Sequence, residues 1–160
     1  MRDDFRLQYV QFRICHSEFP IYTADGMWYI EKKTEVIIMT VISTENAPAA
    51  IGPYSQGMVV GSLVFCSGQI PVDPATGSIP EGIAAQAERS CRNISAVLEA
   101  AGSDLGKVVK TTCFLADMAD FAAFNEVYAR FFTGKPARSC CAVKTLPKNV
   151  LCEIEAIAEL

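Results

Sequence analysis

The chain has 160 residues, of which 51% are hydrophobic, and its formal net charge is −4. This length fits one compact domain that buries roughly two-thirds of its unfolded surface, so a second full domain is not expected. The acidic balance argues against nucleic acid as a partner, and no apolar stretch reaches the roughly 20 residues that a membrane span needs. We therefore expect a cytoplasmic protein that contacts neither nucleic acid nor a membrane.

The first 38 residues differ from the rest of the chain. They carry seven of the fifteen aromatic residues, yet they show neither helical nor strand periodicity. Met39 followed by Thr40 looks like a natural domain start, which divides the chain into an extension of residues 1–38 and a domain of residues 39–160. The leading hypothesis is that the extension is an appendage or a mis-called start. The alternative is an added strand or an interaction arm.

Residues 57–70 predict a β-hairpin, because two apolar runs flank Gly61-Ser62, a pair suited to a tight reversal. Residues 71–77 are dense in turn formers and predict a surface loop. Apolar residues then recur at spacings of three and four, which predicts a helix that covers a sheet and that Gly102 can terminate. The residues of this stripe are Ile83, Ala87, Cys91, Ile94, Leu98 and Ala101.

The next stretch predicts a strand and a second helix. Residues 107–116 are rich in valine, threonine and phenylalanine, as strands are, and Asp120 can cap the helix that follows. The buried face of that helix comprises Phe121, Phe124, Tyr128 and Phe131. Together with the final strands, this order predicts an α+β fold, a mixed sheet with two helices packed on one face.

Two further strands, residues 137–145 and 150–157, are predicted to form a hairpin. On the second strand, apolar side chains alternate with Glu153 and Glu155, so the acids would face away from the core. In the hairpin register, Arg138 and Glu153 share one face, roughly 13 Å apart along the strand direction. A site that uses both would need a second subunit, and a slip of one residue would reverse this result. The alternative is that both are solvated surface charges.

The sequence gives little support for catalysis or metal binding by cysteine and histidine. The seven cysteines are an odd number without a CxxC pair, and most lie in apolar runs, which is typical of reduced, buried thiols. His16 is the only histidine and precedes the predicted domain. Cys-His or Ser-His-Asp machinery and a multi-histidine metal site are therefore not expected, and the chemistry must use carboxylates, arginine, hydroxyls, amides or the backbone.

Four segments together make residues 40–159 similar to the RidA family, also called the YjgF family. They are 46–56 (NAPAAIGPYSQ), 67–71 (SGQIP), 136–140 (PARSC), and 146–147 with 153–156 (LP with EIEA). The resemblance implies a chorismate-mutase-like α+β fold, a homotrimer with ligand sites between subunits, and no metal or organic cofactor. It also implies hydrolytic deamination of 2-aminoacrylate, as its imine 2-iminopropanoate, and of 2-iminobutanoate, to pyruvate or 2-oxobutanoate plus ammonia. Such a protein removes reactive enamine and imine by-products of pyridoxal-phosphate enzymes.

The resemblance also implies site residues. Arg138 matches the family arginine that binds the substrate carboxylate, a task that suits a planar guanidinium with two parallel hydrogen bonds. Glu153 matches the acid that directs water at the imine carbon, a role that needs an ionised carboxylate. The remaining matches are substrate-binding positions: Tyr54, Ser67, Gly68, Asn125 and Cys140.

These matches have plainer alternatives. Tyr54 could be a packed aromatic, and Asn125 an ordinary polar residue of the second helix. Cys140 invites a nucleophile hypothesis, because the nearby Arg138 would lower the pKa of its thiol. A packed thiol is favoured, since no histidine activates it and imine hydrolysis needs no covalent intermediate. Gly68 would let the backbone approach a ligand closely.

One departure from the family lies just before Pro136. Residues 131–135 lead almost directly to it, whereas family proteins usually have several more residues there. Either the cleft is more open, which would change the substrate preference, or the contact between subunits differs. Two other function classes stay open: a protein that binds small carboxylates without turnover and, against the acidic net charge, a ribonuclease or translation inhibitor.

Overall fold

The computed structural model describes residues 9–13, 18–22, 28–32 and 36–160, with side chains from Met39 onward. These residues form nine strands and two α-helices: β1 (Tyr9–Arg13), β2 (Glu18–Tyr22), β3 (Trp28–Lys32), β4 (Val36–Ile42), β5 (Gly57–Val60), β6 (Leu63–Gln69), α1 (Ile83–Ala100), β7 (Val108–Leu115), α2 (Phe121–Phe131), β8 (Ala137–Ala142) and β9 (Cys152–Glu159). Short 3-10 turns precede β7, α2 and β9.

Seven of the described strands form one mixed sheet in the order β1-β4-β5-β6-β9-β7-β8. Neighbours are antiparallel except β7 and β8, which are parallel and joined through α2. α1 packs against α2, β6 and β9, so the helices cover one face and the predicted α+β class is confirmed. Neither helix of the described residues is long and apolar enough to cross a membrane.

The core lies between the helices and the sheet. The stripe predicted on α1 faces inward: its four central members are fully buried, and Ile83 and Ala101 pack at the margin. On α2, Phe124 and Tyr128 are buried, whereas Phe121 and Phe131 are partly buried against the same cluster. The 3.6-residue period therefore identified both inward faces.

The hairpin predicted over residues 57–70 is confirmed. β5 and β6 pair with Val60 opposite Leu63. Gly61 adopts a φ of +60° in the turn, a conformation that glycine reaches without the clash a Cβ would cause. The following loop is closed by a 2.8 Å hydrogen bond that the Asp73 N–H donates to the Ser78 carbonyl.

The start of α2 differs in one detail from the prediction. The helix begins directly after Asp120, but the Asp120 carboxylate makes no capping hydrogen bond. Asp117 acts instead, because its Oδ1 accepts a 2.8 Å hydrogen bond from the Ala119 N–H. The cap therefore serves the 3-10 turn that leads into the helix.

The hairpin predicted at the end of the chain is wrong. β9 lies between β6 and β7, while β8 occupies the sheet edge beside β7, so the two strands do not pair. The connection contains a buried anchor, Leu146, followed by Lys148 and Asn149, which both have a φ of +55°. The side chains agree with this order. Every second residue of β9 is buried, as in an interior strand, whereas most of β8 is exposed, as in an edge strand.

The extension contributes three of the described strands. β1 pairs with the outer edge of β4, from Tyr9 opposite Thr40 to Arg13 opposite Val36, and β2 and β3 pair with each other. Residues 36–38 of the extension begin β4, and its remaining residues, including His16, lie outside the described ones.

Candidate active site

Arg138 and Glu153 lie on opposite faces of the sheet. Arg138 pairs with Thr111, whose side chain is buried in the core, so Arg138 lies on the helix face. Glu153 pairs with Phe114, which alternates with the core residues Cys113 and Leu115 and so faces away from the helices. The expectation that the two charges share a face is therefore wrong, because it rested on a β8–β9 pairing that does not form. Their Cα atoms are about 14 Å apart from strand spacings.

The guanidinium of Arg138 is held by residues of α2. Its Nη1 donates a 2.7 Å hydrogen bond to Oδ1 of Asn125. Its Cζ lies 4.6 Å from the ring centroid of Tyr128 and 5.6 Å from that of Phe121. Arg138 is half-buried, yet no carboxylate among the described side chains forms an ion pair with it. The Nε and Nη2 edge has no partner there either, so it can accept a planar anion.

Glu153 lies against Gly68 on β6. A Cβ added at Gly68 would lie 1.8 Å from Oε1 of Glu153 and 2.8 Å from its Cδ, so only glycine leaves room for this carboxylate. β6 has an irregular register between Cys66 and Gln69, beside this contact, as at a β-bulge. Burial raises the pKa of Glu153, and the neighbouring charge of Glu155 raises it further. The result is a half-buried carboxylate that is more basic than a solvated one.

Ser67 joins this strand to the loop that carries Tyr54. Its Oγ donates a 2.6 Å hydrogen bond to the Ser55 carbonyl, and its N–H donates to the Gln56 carbonyl at 3.0 Å. The Tyr54 hydroxyl accepts a 3.3 Å hydrogen bond from the Ile51 N–H, and the ring is 49% exposed. Tyr54 is thus an open side chain at the surface and not a packed aromatic.

Gln56 organises the same loop and was missed by the sequence reasoning. It is 4% exposed, and its Nε2 donates to the carbonyls of Thr44, Ala47 and Pro48 at 2.8–3.1 Å. Its Oε1 accepts from the Thr44 N–H at 2.7 Å. The sequence gives only a weak signal for this role, which is that a polar residue directly follows Tyr54-Ser55.

A cavity of about 210 Å³ opens beside Gly68 and Tyr54. Its walls also include Gln69 at the end of β6, Ile70 directly after it, and Lys148 from the turn before β9. A volume of this size suits a molecule of a few heavy atoms more readily than a nucleotide or a peptide.

Cys140 lies on the Arg138 side of the sheet and pairs with Cys113 across β7 and β8. Burial raises the pKa of its thiol by more than the charge of Arg138 lowers it. A nucleophilic cysteine needs the opposite shift. Cys140 also packs against the core cluster, which fits the packed thiol that the sequence favoured.

The predicted site residues therefore form two groups within one chain. Tyr54, Ser67, Gly68 and Glu153 cluster around β6 and β9, whereas Arg138, Asn125 and Cys140 cluster around β8 and α2. Tyr128 and Phe121 belong to the second group, although their periodicity identified them only as core residues. Among the described residues, no group of three or more histidine, cysteine, aspartate and glutamate side chains could hold a metal ion.

Comparison with known proteins gives one consistent result. Residues 44–160 match the family model described as endoribonuclease L-PSP. A 2-iminobutanoate/2-iminopropanoate deaminase of Salmonella typhimurium is 57% identical over 121 residues, which are 73% of this chain and 94% of that protein. The protein of the same name from Escherichia coli K12 is 55% identical over equal coverage.

Solved structures agree with these relatives. The YjgF gene product of E. coli superposes with a TM-score of 0.72 at 54% identity, covering 74% of this chain and 97% of that chain. E. coli TdcF with bound serine gives a TM-score of 0.73 at 51% identity, covering 75% of this chain and 98% of that chain. The matching family model, the identities and the shared fold together show that the chain belongs to the endoribonuclease L-PSP family, which is the RidA or YjgF family.

Proposed function

We propose that this chain hydrolyses 2-iminopropanoate and 2-iminobutanoate to pyruvate or 2-oxobutanoate and ammonia. Two relatives that are 55–57% identical carry the name of that activity. The observation that carries the proposal is the half-buried guanidinium of Arg138, which has no carboxylate partner among the described side chains. A charge in that setting gains most from an incoming anion, and each imine substrate carries a carboxylate.

Arg138 would orient the substrate through that carboxylate. Because Asn125 already occupies Nη1, the Nε and Nη2 edge is left for two parallel hydrogen bonds to the substrate. This arrangement fixes the plane of the conjugated carboxylate and imine. Positioning alone can supply a large part of the acceleration for an electrophile that already reacts with water.

Glu153 would direct the attacking water. The burial that raises its pKa makes the ionised carboxylate a better proton acceptor near neutral pH. Water adds to the carbon of the protonated imine while Glu153 takes one of its protons, which gives a carbinolamine. Return of that proton to nitrogen makes ammonia the leaving group. The C–N bond breaks as Glu153 takes the hydroxyl proton, which gives the 2-oxo acid. Transfer of this proton to the departing ammonia restores the ionised Glu153 and releases ammonium, so atoms and charge balance without a cofactor.

A complete site would need two chains. Arg138 and Glu153 lie on opposite faces of one sheet, and neither side chain can reach through it. We propose a homotrimer in which the open sheet face of one chain meets the β8 edge of the next. The open face supports this assembly because Phe65, flanked by Met58 and Ile157 on adjacent strands, is 42% exposed there.

The first test is release of 2-oxobutanoate when threonine dehydratase generates 2-iminobutanoate in the presence of semicarbazide as a competing trap. Wild type should accelerate release. Arg138→Ala should raise KM, and Glu153→Ala should lower kcat by about 10²–10⁴-fold. The exposed residues Arg130 and Glu99 provide matched controls, so Arg130→Ala and Glu99→Ala should behave as wild type. Release at the buffer rate with wild type would refute the deaminase proposal.

The second test asks whether the site spans two chains. Arg138→Ala and Glu153→Ala proteins are unfolded together and refolded as a mixture, which is assayed at a substrate concentration at which neither variant alone has appreciable activity. In random trimers about one cleft in four combines an intact arginine with an intact glutamate, so roughly a quarter of wild-type activity should return. Separately refolded samples that are mixed afterwards are the control. A mixture that stays inactive would refute a shared cleft.

A second candidate function is binding of small carboxylates without turnover. The structure of TdcF that contains serine favours it, since serine is a small molecule with a carboxylate on its α-carbon. Glu153 separates the two candidates, because a binding protein should tolerate Glu153→Ala with an unchanged Kd for 2-oxobutanoate and an unchanged cellular role. A ribonuclease is less favoured by the net charge of −4.

The biological role that fits this chemistry is removal of reactive by-products of pyridoxal-phosphate enzymes in the cytoplasm. The described cysteines are free, which is typical of proteins in a reducing compartment.

A further inference from the structure

The guanidinium of Arg138 lies over an aromatic ring. Its Cζ lies 4.6 Å from the ring centroid of Tyr128, well within the roughly 6 Å over which a cation is attracted to the face of a ring. Phe121 lies on the same guanidinium at 5.6 Å. The contact with Tyr128 is the closer of the two, so it contributes more of the attraction.

Tyr128 is itself fixed on three sides. Its hydroxyl shares a 2.7 Å hydrogen bond with Oγ1 of Thr111, which is fully buried in β7. Its ring stacks on Phe132 with centroids 4.4 Å apart and contacts Phe124 at 5.9 Å. The side chain is 7% exposed. The surface beneath the guanidinium is therefore a rigid part of the core.

We propose that Tyr128 is the positioning residue for Arg138, and that it sets how tightly the protein binds the carboxylate of a 2-oxo or 2-imino acid. The Tyr128 ring fixes the plane of the guanidinium, and the hydrogen bond from Nη1 to Asn125 fixes its rotation within that plane. Together they leave the Nε and Nη2 edge in one orientation. The inference rests on the proposed function in that Arg138 binds the substrate carboxylate.

Preorganisation of this kind strengthens binding by removing the cost of ordering a long side chain when the ligand arrives. An arginine on an aliphatic surface would keep its charge but sample several rotamers, so a two-point hydrogen bond would form less often. Because the carboxylate is held equally before and during reaction, the loss should appear in KM and in the Kd of a product acid, with kcat little changed.

The test compares Tyr128→Leu, Tyr128→Phe and a matched core control. Val64→Ala makes a cut in a fully buried side chain of β6, a strand that β9 separates from β7 and β8, so this control lies away from Arg138 and Tyr128. Tyr128→Leu should weaken binding of 2-oxobutanoate, measured by calorimetric titration, about tenfold and raise KM equally. Tyr128→Phe should restore both values despite the lost hydrogen bond to Thr111. Val64→Ala should lower Tm, as Tyr128→Leu does, with unchanged Kd and KM.

The proposal is refuted if Tyr128→Leu binds 2-oxobutanoate as wild type does, or if Val64→Ala weakens binding to the same extent. Tyr128→Leu should also have no further effect on binding in an Arg138→Leu background, since the residue acts through Arg138. The titration needs no turnover. A wild type that binds 2-oxobutanoate but does not hydrolyse the imine would therefore refute the deaminase function while the role of Tyr128 is still measured.

Discussion

Replacement of Gly68 by alanine is the sharpest perturbation that the site offers. A Cβ at this position would lie 1.8 Å from Oε1, 2.8 Å from Cδ and 3.1 Å from Cγ of Glu153. An ordinary contact needs roughly 3.5 Å, so the carboxylate must retreat by more than 1 Å. The backbone beside Gly68 is held by the two hydrogen bonds that Ser67 donates to the Ser55 and Gln56 carbonyls, so we expect the flexible glutamate side chain to move and the strand to stay in place.

The displacement predicts a loss of turnover with little loss of stability. A shift of about 1 Å in a catalytic group can cost about 10²-fold in rate, so kcat of Gly68→Ala should fall to about a hundredth of wild type. The destabilisation should stay below about 1 kcal/mol, because the atoms that yield are the end of a flexible side chain. KM should change little, since Arg138 is not touched.

The assay is 2-oxobutanoate release from enzymatically generated 2-iminobutanoate, together with thermal unfolding. Gly134→Ala is the matched control, because its Cβ would meet only the Gly106 carbonyl, at an ordinary 3.6 Å. In a Glu153→Ala background the three clashing atoms are gone, so Gly68→Ala should have no further effect on kcat or Tm. Wild-type kcat in Gly68→Ala, or an additive loss in the double variant, would refute the steric reasoning.

Two further predictions concern the charge of Glu153, and a third concerns the extension. Glu155→Gln removes a charge that raises the pKa of Glu153, so the acid limb of the kcat/KM profile should move to lower pH; an unmoved limb would exclude Glu153 as its source. Glu153→Gln should raise Tm near neutral pH. A carboxyl whose pKa is raised on folding makes the folded protein less stable as pH rises through the unfolded and then the folded pKa of that group, and glutamine does not ionise. The gain should vanish below the ordinary glutamate range, and a gain that persists in acid would point to another cause. A chain that starts at Met39 should keep wild-type kcat, KM and oligomeric state, since the family match begins at residue 44; loss of folding would show that β1, paired along β4, is required.

The sequence carried most of the fold because its local signals agreed with one another. The glycine turn at Gly61, the apolar stripe on α1 and the aromatic face of α2 each depend on neighbours within a few residues. Strand order cannot be read from such local signals, because it depends on pairing between strands that are far apart in the chain. The turn before β9 resembled a hairpin turn, but two residues at a φ of +55° turn the chain toward the gap between β6 and β7.

The site could be predicted only in part for the same reason. Arg138 and Glu153 stand out as charges inside motifs, and their identity can be read from the sequence. Their surroundings cannot, because the contacts between Gly68 and Glu153 and between Tyr128 and Arg138 join residues that lie far apart in the chain or on different elements. Tyr128 also satisfies the helical period, and a residue that fits the core pattern gives no sign of a second role.

The positions of Arg138 and Glu153 on opposite faces of the sheet bear on how the chain assembles. In the hairpin register, a second chain was needed because the two charges were too far apart along the strand. In the observed register, they also point to opposite faces, since Arg138 lies beside the buried Thr111 and Glu153 beside Phe114. Side-chain rotamers can shorten a distance, but they cannot pass a hydrogen-bonded sheet, so no local rearrangement completes the site within one chain. A fold that places its anion-binding group at an edge strand and its carboxylate on an open face is suited to a cleft between copies.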